Sequence, residues 1–405
     1  MVERKEYLEQ LWAWKEEKLI KVVTGIRRCG KSTLLTQYQK KLKDAGIGAE
    51  QIISINFEDL DNEPLLDYKE LYQYIKARLC EDKITYIFLD EIQNVALFEK
   101  VVDSLYVKDN TDVYITGSNS YMLSSNLATF LSGRCIEISM LPLSFREYVT
   151  VTGMKKEQAF TEFMKTGGFP YVAVMNRTDE KVDQYLEGIY NTVIVKDIEE
   201  RQLRREGDTG KRKITDIALL KTIARYLSSV VGSPVSIKKV TDYLISSGRK
   251  ISPNTVSDYV EALTESFVFY SSERFDIVGK QLLKVNRKMY IVDLGLRNHI
   301  LPRKYYDLGF SIENIVYFEL LRRGNKVNIG KYGAAEVDFV TQKQGVLTYY
   351  QVTADMTAKE TFEREMRPLR SIQDNYEKIV LTLDKFSLGN YEGIKVMNVV
   401  DWLLK

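Results

Sequence analysis

Gly25-Ile26-Arg27-Arg28-Cys29-Gly30-Lys31-Ser32 follows a short apolar run, Leu19 to Thr24, and opens a helical pattern from about Lys31. The spacing G-x-x-x-x-G-K-[ST] between a strand and a helix is what a polyphosphate cradle requires. Gly25 and Gly30 let the backbone turn tightly, so that N–H groups around Arg28, Cys29 and Gly30 can wrap phosphate oxygens. The helix that begins at Lys31, Ser32 and Thr33 points its positive end the same way. Lys31 would reach the β- and γ-phosphates of ATP, and the Ser32 hydroxyl would bind Mg²⁺. The plainer alternative, a glycine turn that only ends a strand, accounts for neither the lysine nor the hydroxyl.

Two strand ends support this reading. Tyr86-Ile87-Phe88-Leu89-Asp90-Glu91 is a buried-strand run closing on two acids. Asp90 would hold Mg²⁺ through water, and Glu91 would orient and polarise an attacking water. Thr116-Gly117-Ser118-Asn119-Ser120 ends another apolar run. Either it is a turn with a helix cap, or Ser118 or Asn119 contacts the γ-phosphate or the water.

Further out, the runs Ile52–Phe57, Ile84–Leu89, Val113–Thr116 and Cys135–Met140 alternate with helical patterns, which predicts an α/β fold with a parallel sheet covered on both faces. Residues 2–15 read as an amphipathic helix with Tyr7, Leu8, Leu11 and Trp14 on one side. From Pro142 to about Arg212 the pattern is helical, broken at Gly167-Gly168-Phe169-Pro170. The chain has 405 residues, 44% hydrophobic and 28% charged, as ordinary globular domains do. No apolar run is long enough to span a bilayer. Three cysteines without metal spacing fit a reducing cytoplasm. His299 is the single histidine, which nearly excludes triads and His-rich metal sites and leaves acid, hydroxyl, lysine and arginine chemistry.

These motifs make the sequence resemble the AAA+ ATPases, and in particular a bacterial and archaeal group with a C-terminal extension. The likeness rests on the phosphate loop, Leu89-Asp90-Glu91-Ile92-Gln93, Thr116-Gly117-Ser118, Leu131-Ser132-Gly133-Arg134, Leu141-Pro142-Leu143-Ser144-Phe145, Gly167-Gly168-Phe169-Pro170 and Glu336-Val337-Asp338-Phe339. It implies a nucleotide-binding core over 1–141, a helical lid over 142–212, a winged-helix domain over 213–292 and a C-terminal domain over 293–405. It also implies ATP hydrolysis by a homo-oligomer, usually of six subunits. Arg134 stands where such proteins carry an arginine that serves the neighbouring subunit's site, and Arg201, Arg204 and Arg205 are candidates for the lid's sensor.

Residues 211–290 hold 14 Lys and Arg against 7 Asp and Glu, a local balance of +7 in a chain of net charge +2. Three amphipathic helices, Leu219–Leu227, Ile237–Leu244 and Thr255–Leu263, precede two paired strands, Phe267–Ser271 and Lys288–Val292, in the pattern of a winged helix. Bound to DNA, it would use Asn254, Thr255 and Ser257 on the third helix and Lys280, Lys284, Arg287 and Lys288 near the wing. The third helix carries Asp258, Glu261 and Glu265 but no Lys or Arg. That favours phosphate contact over base reading, or else a protein-binding domain with a solvated basic face.

In the C-terminal domain Glu319 falls on the apolar stripe of Ser311–Arg323, and Glu336 and Asp338 share one face of a strand. The next strand has Gln351 and Thr353. This resembles the restriction-endonuclease-like fold, whose active form places Asp on one strand and Glu-x-Lys on the next. With Gln351 and Thr353 in the Glu and Lys positions, a catalytically inactive scaffold is expected. The leading expectation is therefore an ATPase that remodels or translocates branched or partly single-stranded DNA. An ATP-controlled regulatory or defence switch acting on protein partners comes second, and an Mg²⁺-dependent nuclease third.

Overall fold

The computed structural model describes residues 2–118, 133–193, 198, 214, 216–301 and 307–405. The chain divides into two compact units, Met1–Pro142 and Leu143–Lys405.

The first unit is built on a five-stranded sheet of β1 (Ile20–Thr24), β2 (Ile52–Asn56), β3 (Thr85–Asp90), β4 (Thr111–Gly117) and β5 (Cys135–Ser139), in the order β2-β3-β4-β1-β5. All four pairings are parallel. β1 and β3 are buried along their whole length, because helices α1 (Lys5–Ala13), α2 (Lys31–Asp44), α3 (Tyr68–Lys76) and α4 (Phe98–Tyr106) cover the sheet. This is the expected α/β architecture. Tyr7, Leu8 and Leu11 of α1 are buried as predicted, whereas Trp14 lies beyond the helix end and is 40% exposed.

In the core, Phe88 stacks on Tyr114 with centroids 4.8 Å apart, and Tyr38 of α2 packs edge-on to Phe88. Lys21, fully buried in β1, bonds Asp112 at 2.5 Å and the Glu17 carbonyl at 2.8 Å, and burial lowers its pKa against the pull of Asp112. A buried ion needs such partners, because desolvation otherwise outweighs anything it contributes.

The second unit opens with α5 (Phe145–Thr152), α6 (Lys156–Thr166), α7 (Pro170–Val174) and α8 (Asp179–Asn191). Ser144 and Glu147 form a reciprocal capping box on α5. The Gly167-Gly168-Phe169-Pro170 turn wraps the buried carboxylate of Asp293. Gly168 N–H donates to it at 2.6 Å, and a Cβ on Gly167 would sit 2.1 Å from its Oδ1.

α9 (Ile217–Ser229), β6 (Pro234–Val235), α10 (Ile237–Ser246), α11 (Pro253–Glu265), β7 (Phe269–Asp276) and β8 (Gln281–Ile291) follow. The three helices lie where the sequence places them, and β7 and β8 form the expected antiparallel pair, with Tyr270 opposite Tyr290. The hairpin does not stand alone. β7 also runs parallel to β9 (Lys326–Tyr332), with Arg274 opposite Ile329 and Asp276 opposite Lys331.

After α12 (Leu294–Ile300) and α13 (Leu308–Arg322) come β9, β10 (Ala335–Lys343), β11 (Val346–Thr353), α14 (Lys359–Ser371), β12 (Glu377–Thr382), β13 (Gly389–Tyr391), β14 (Ile394–Asn398) and α15 (Val399–Leu403). One nine-stranded mixed sheet, β13-β14-β12-β11-β10-β9-β7-β8-β6, therefore carries both the hairpin and the C-terminal strands.

Candidate nucleotide site

The C-terminal ends of β1, β3 and β4 meet at one edge of the first sheet, where open parallel α/β sheets place their ligands. The phosphate loop joins β1 to α2. Gly30 has φ +106°, and Gly25 has φ +146° with a Cβ position only 2.1 Å from the Met140 carbonyl oxygen. No side chain fits at Gly25. Arg28, also left-handed at φ +70°, is exposed, and Arg27 pairs with Glu58 at 3.1 Å. Cys29 is fully buried and burial raises its thiol pKa, so its part in the loop belongs to its backbone.

Lys31 is 4% exposed. Its ammonium donates to the Gly25 carbonyl at 3.1 Å and lies 3.4 Å from Glu91 Oε1. Burial works to lower its pKa, but the charges of Glu91 and Asp90 outweigh burial and raise it. For Glu91 burial is likewise overcome, by Lys31 and by the Gln93 amide, and its pKa is lowered. The two are therefore a charged, buried pair. Ser32 hydrogen-bonds the Asp90 carboxylate, whose pKa burial raises. A hydroxyl and a carboxylate side by side are the donor set that an octahedral Mg²⁺ takes from a protein when phosphates and waters complete its shell. These two residues fit that ion. Thr33 is half-buried in the first turn of α2.

Ser118 is buried and hydrogen-bonds Glu91, and its Oγ also accepts from the Gln93 amide at 3.5 Å. Asn119 lies outside the described residues, as do Arg201, Arg204 and Arg205. Two further residues belong to the site. Gln93 Nε2 donates to Glu91 Oε2. Thr116 Oγ1 accepts the Glu91 N–H at 2.8 Å and donates to Asp90 Oδ1 at 2.5 Å. One hydroxyl thus fixes the Asp90 side chain and the Glu91 peptide together. That tie holds Glu91 at φ +54°, a conformation that costs a non-glycine residue about 1 kcal/mol.

Arg134 precedes β5, whose first residue Cys135 pairs with Ile20 at the start of β1. It therefore lies at the opposite edge of the sheet from its own phosphate loop. It is paired with Asp103, and its guanidinium lies 5.4 Å from the centre of the Tyr106 ring.

Of the basic residues assigned to the hairpin, Lys280 is exposed in its turn and Arg287 is half-buried, while the Lys284 side chain lies outside the described residues. Lys288 corrects the sequence reading. It is 3% exposed and faces inward, with Nζ 3.1 Å from Glu313, 3.0 Å from Glu336 and 3.9 Å from Asp338. On α11, Asn254 is exposed and Ser257 half-buried. The Thr255 hydroxyl bonds the Ser252 hydroxyl at 2.9 Å, and the Thr255 N–H donates to the same Ser252 Oγ to cap the helix.

Lys288 also revises the C-terminal cluster. Glu319 is buried as expected, but the acid of α13 that meets Lys288 is Glu313, which accepts from Lys288 and from the Tyr290 hydroxyl at 2.8 Å. Glu319 is held instead by Arg323 at 2.8 Å and Arg322 at 3.6 Å. Gln351 donates to Glu365 at 2.9 Å and accepts the Asp338 N–H at 3.3 Å, while Thr353 donates to the Asp355 carbonyl. The cluster does contain a lysine, brought in from β8. Burial and the charge of Glu313 push the Asp338 carboxyl up to about 8 against the opposing effect of Lys288. Among the described residues, no three or more His, Cys, Asp or Glu side chains form a group that could hold a metal ion.

A phosphate loop, a strand-end Asp-Glu pair and a polar residue on the intervening strand, on a five-stranded parallel sheet, define an AAA-type P-loop ATPase domain. Residues 17–149 match the family model described as an AAA domain, and residues 157–307 match a domain of unknown function. The chain belongs to the family of a Haemophilus influenzae protein described as uncharacterized, to which it is 38% identical over 413 residues, covering 100% of this chain and 99% of the relative. A second uncharacterized relative, from Methanocaldococcus jannaschii, is 29% identical over 94% of this chain and 85% of its own length. Among solved structures, a Walker-type ATPase of Pyrococcus abyssi aligns with 74% of this chain and 96% of its own, at 16% identity and a TM-score of 0.49. No described helix is long and apolar enough to cross a membrane.

Proposed function

We propose that this chain is a cytoplasmic, Mg²⁺-dependent ATPase that hydrolyses ATP to ADP and phosphate as a homo-oligomer, of six subunits by analogy, and uses the cycle to remodel or translocate DNA. The observation that carries the ATPase reading is the convergence of Lys31, Ser32, Asp90, Glu91, Thr116 and Ser118 at one sheet edge. Glu91 is held on Lys31. When the phosphates arrive they take the ammonium, and the freed carboxylate can polarise a water towards the γ-phosphorus. Mg²⁺ on Ser32 and Asp90 would neutralise the charge that develops on the phosphate oxygens.

Because Arg134 lies at the far edge from its own loop, its natural reach is the neighbouring subunit's site. There a guanidinium would stabilise the transition state and make hydrolysis depend on assembly. Mixing Arg134→Ala subunits with Glu91→Gln subunits then restores activity that neither has alone; no recovery in the mixture would remove Arg134 from that role.

For DNA, support comes from the +7 balance of residues 211–290, from the exposed Lys280, and from the order helix, strand, helix, helix, hairpin, which is that of a winged helix. Binding would be phosphate-led and sequence-tolerant, suiting branched or partly single-stranded forms. A specific observation favours a second reading, an ATP-controlled switch on protein partners: Lys288 is withdrawn from the basic face, and α11 carries Asp258, Glu261 and Glu265. The deciding experiment is ATP hydrolysis with and without single-stranded, duplex and four-way-junction DNA, with Glu91→Gln as the control. Stimulation by one form supports the motor and names its substrate. A slow rate indifferent to all of them, with no salt-sensitive binding, supports the switch.

A further inference from the structure

Arg4 lies ahead of α1, outside every nucleotide-binding motif in the sequence, yet it is 2% exposed. Its guanidinium donates to the Cys29 carbonyl at 2.9 Å, to the Leu141 carbonyl at 2.8 Å and to the Pro142 carbonyl at 3.5 Å. It lies 4.9 Å from the centre of the Tyr7 ring, and the Tyr7 hydroxyl accepts the Leu141 N–H at 3.0 Å. α2 secures the segment as well. Gln37 Oε1 accepts the Arg4 N–H at 3.3 Å, and its amide donates to the Val2 carbonyl at 2.6 Å.

Cys29 and Gly30 share a peptide of the phosphate loop, just ahead of α2. In a trans peptide the C=O and the N–H point in opposite directions. Holding the Cys29 carbonyl on Arg4 therefore turns the Gly30 N–H away from Arg4. Gly30, at φ +106°, has no side chain to resist the opposite flip. An N–H donor fixed in advance binds an anion without the cost of ordering it.

We propose that Arg4 is a positioning residue for the phosphate site: it locks the Cys29–Gly30 peptide so that the Gly30 N–H is presented to the nucleotide's phosphate chain. The proposal rests on the reading of residues 25–32 as a phosphate loop. Arg4 acts on the phosphates and not on the base, so its loss weakens ATP and bare tripolyphosphate alike.

The test is a titration of the full chain with MgATP and with Mg-tripolyphosphate, for wild type, Arg4→Lys and Arg4→Met, alongside steady-state kinetics and unfolding without nucleotide. The expectation is about tenfold weaker binding of both ligands by Arg4→Met, the scale of one lost charge-assisted hydrogen bond, with KM rising by more than kcat falls. Arg4→Lys, which keeps the charge but can reach fewer carbonyls, falls between. Wild-type affinity in the folded variants, or a loss confined to ATP, overturns the role of Arg4. If Arg4→Met does not fold, Arg4→Lys decides: weaker binding of both ligands supports the proposal, and wild-type affinity overturns it. Failure of the wild type to bind either ligand overturns the phosphate-loop reading and this proposal with it.

Discussion

Glu91→Gln separates two things that Glu91 does. Its carboxylate lies 3.4 Å from the Lys31 ammonium, with both side chains buried. At an effective dielectric of about 20, two unit charges at that distance attract by about 5 kcal/mol. Desolvation cancels much of this, and a net of about 1–2 kcal/mol is a reasonable scale for what an incoming phosphate must displace. Glutamine occupies the same volume without the charge. Glu91→Gln should therefore bind MgATP about 5–30 times more tightly while hydrolysis falls by about 100-fold or more. A fluorescent-nucleotide titration reads the first effect and phosphate release the second. The Glu91 pKa is lowered and the Lys31 pKa raised, so the pair stays charged throughout the neutral range. The stability it supplies on the Glu91 side is lost only as pH falls through the lowered carboxyl value. The affinity gain should thus persist from pH 6 to 8. Unchanged or weaker binding by Glu91→Gln would refute the idea that the Glu91–Lys31 pair competes with nucleotide.

Three further outcomes follow from the geometry. Thr116→Val leaves the Glu91 N–H without its acceptor and removes one of the hydrogen bonds that hold Asp90, so kcat should drop at least about tenfold and stability by about 1–3 kcal/mol, with Thr116→Ser close to wild type; equal losses in Ser and Val would disprove the bridging role. Asp338, raised to about 8 by burial and Glu313, holds in the folded state a proton that the unfolded chain releases above about pH 4. Its contribution to stability should therefore decline as pH rises from about 4 through 8, and Asp338→Asn should remove that contribution in denaturant titrations; an Asp338→Asn profile parallel to that of the wild type contradicts the assignment. Gly167→Ala should cost about 3 kcal/mol in thermal unfolding, because its Cβ would strike Asp293, whereas Gly153→Ala, which has open space at φ +65°, should cost about 1 kcal/mol.

The convergence of residues at the candidate site was largely legible in the sequence because its motifs are local. Gly25 to Ser32 is one turn, Asp90 and Glu91 are adjacent, and each follows an apolar run that can only be a buried strand. Thr116 was harder to see: one hydroxyl in an apolar run gives no hint that β3–β4 register sets it beside Asp90. Arg4 was invisible for a related reason, since its partners are carbonyls up to 138 positions away and carbonyls have no sequence code. The C-terminal cluster misled in a different manner. Helix α13 is buried on every face from Ser311 to Leu320, so its apolar stripe found the buried Glu319 but gave no sign that Glu313, its other buried acid, would meet Lys288. Lys288 was read with the solvated hairpin because a basic count cannot distinguish a lysine facing water from one facing three carboxylates.

The parallel pairing of β7 with β9 has a mechanical consequence. A free-standing hairpin bends at its base, and a load on its tip is dissipated there. Here Asp276 is paired opposite Lys331, and the Ile277 N–H, beside the turn, donates to the Lys331 carbonyl at 2.9 Å. The grip thus extends to within three residues of Lys280. A pull on that lysine is carried as shear along β9 and into β10, where the ladder is already offset between Val337 and Val340. The strand that receives the strain also bears Glu336 and Asp338, so a load on the hairpin would reach the acidic side chains that face Lys288.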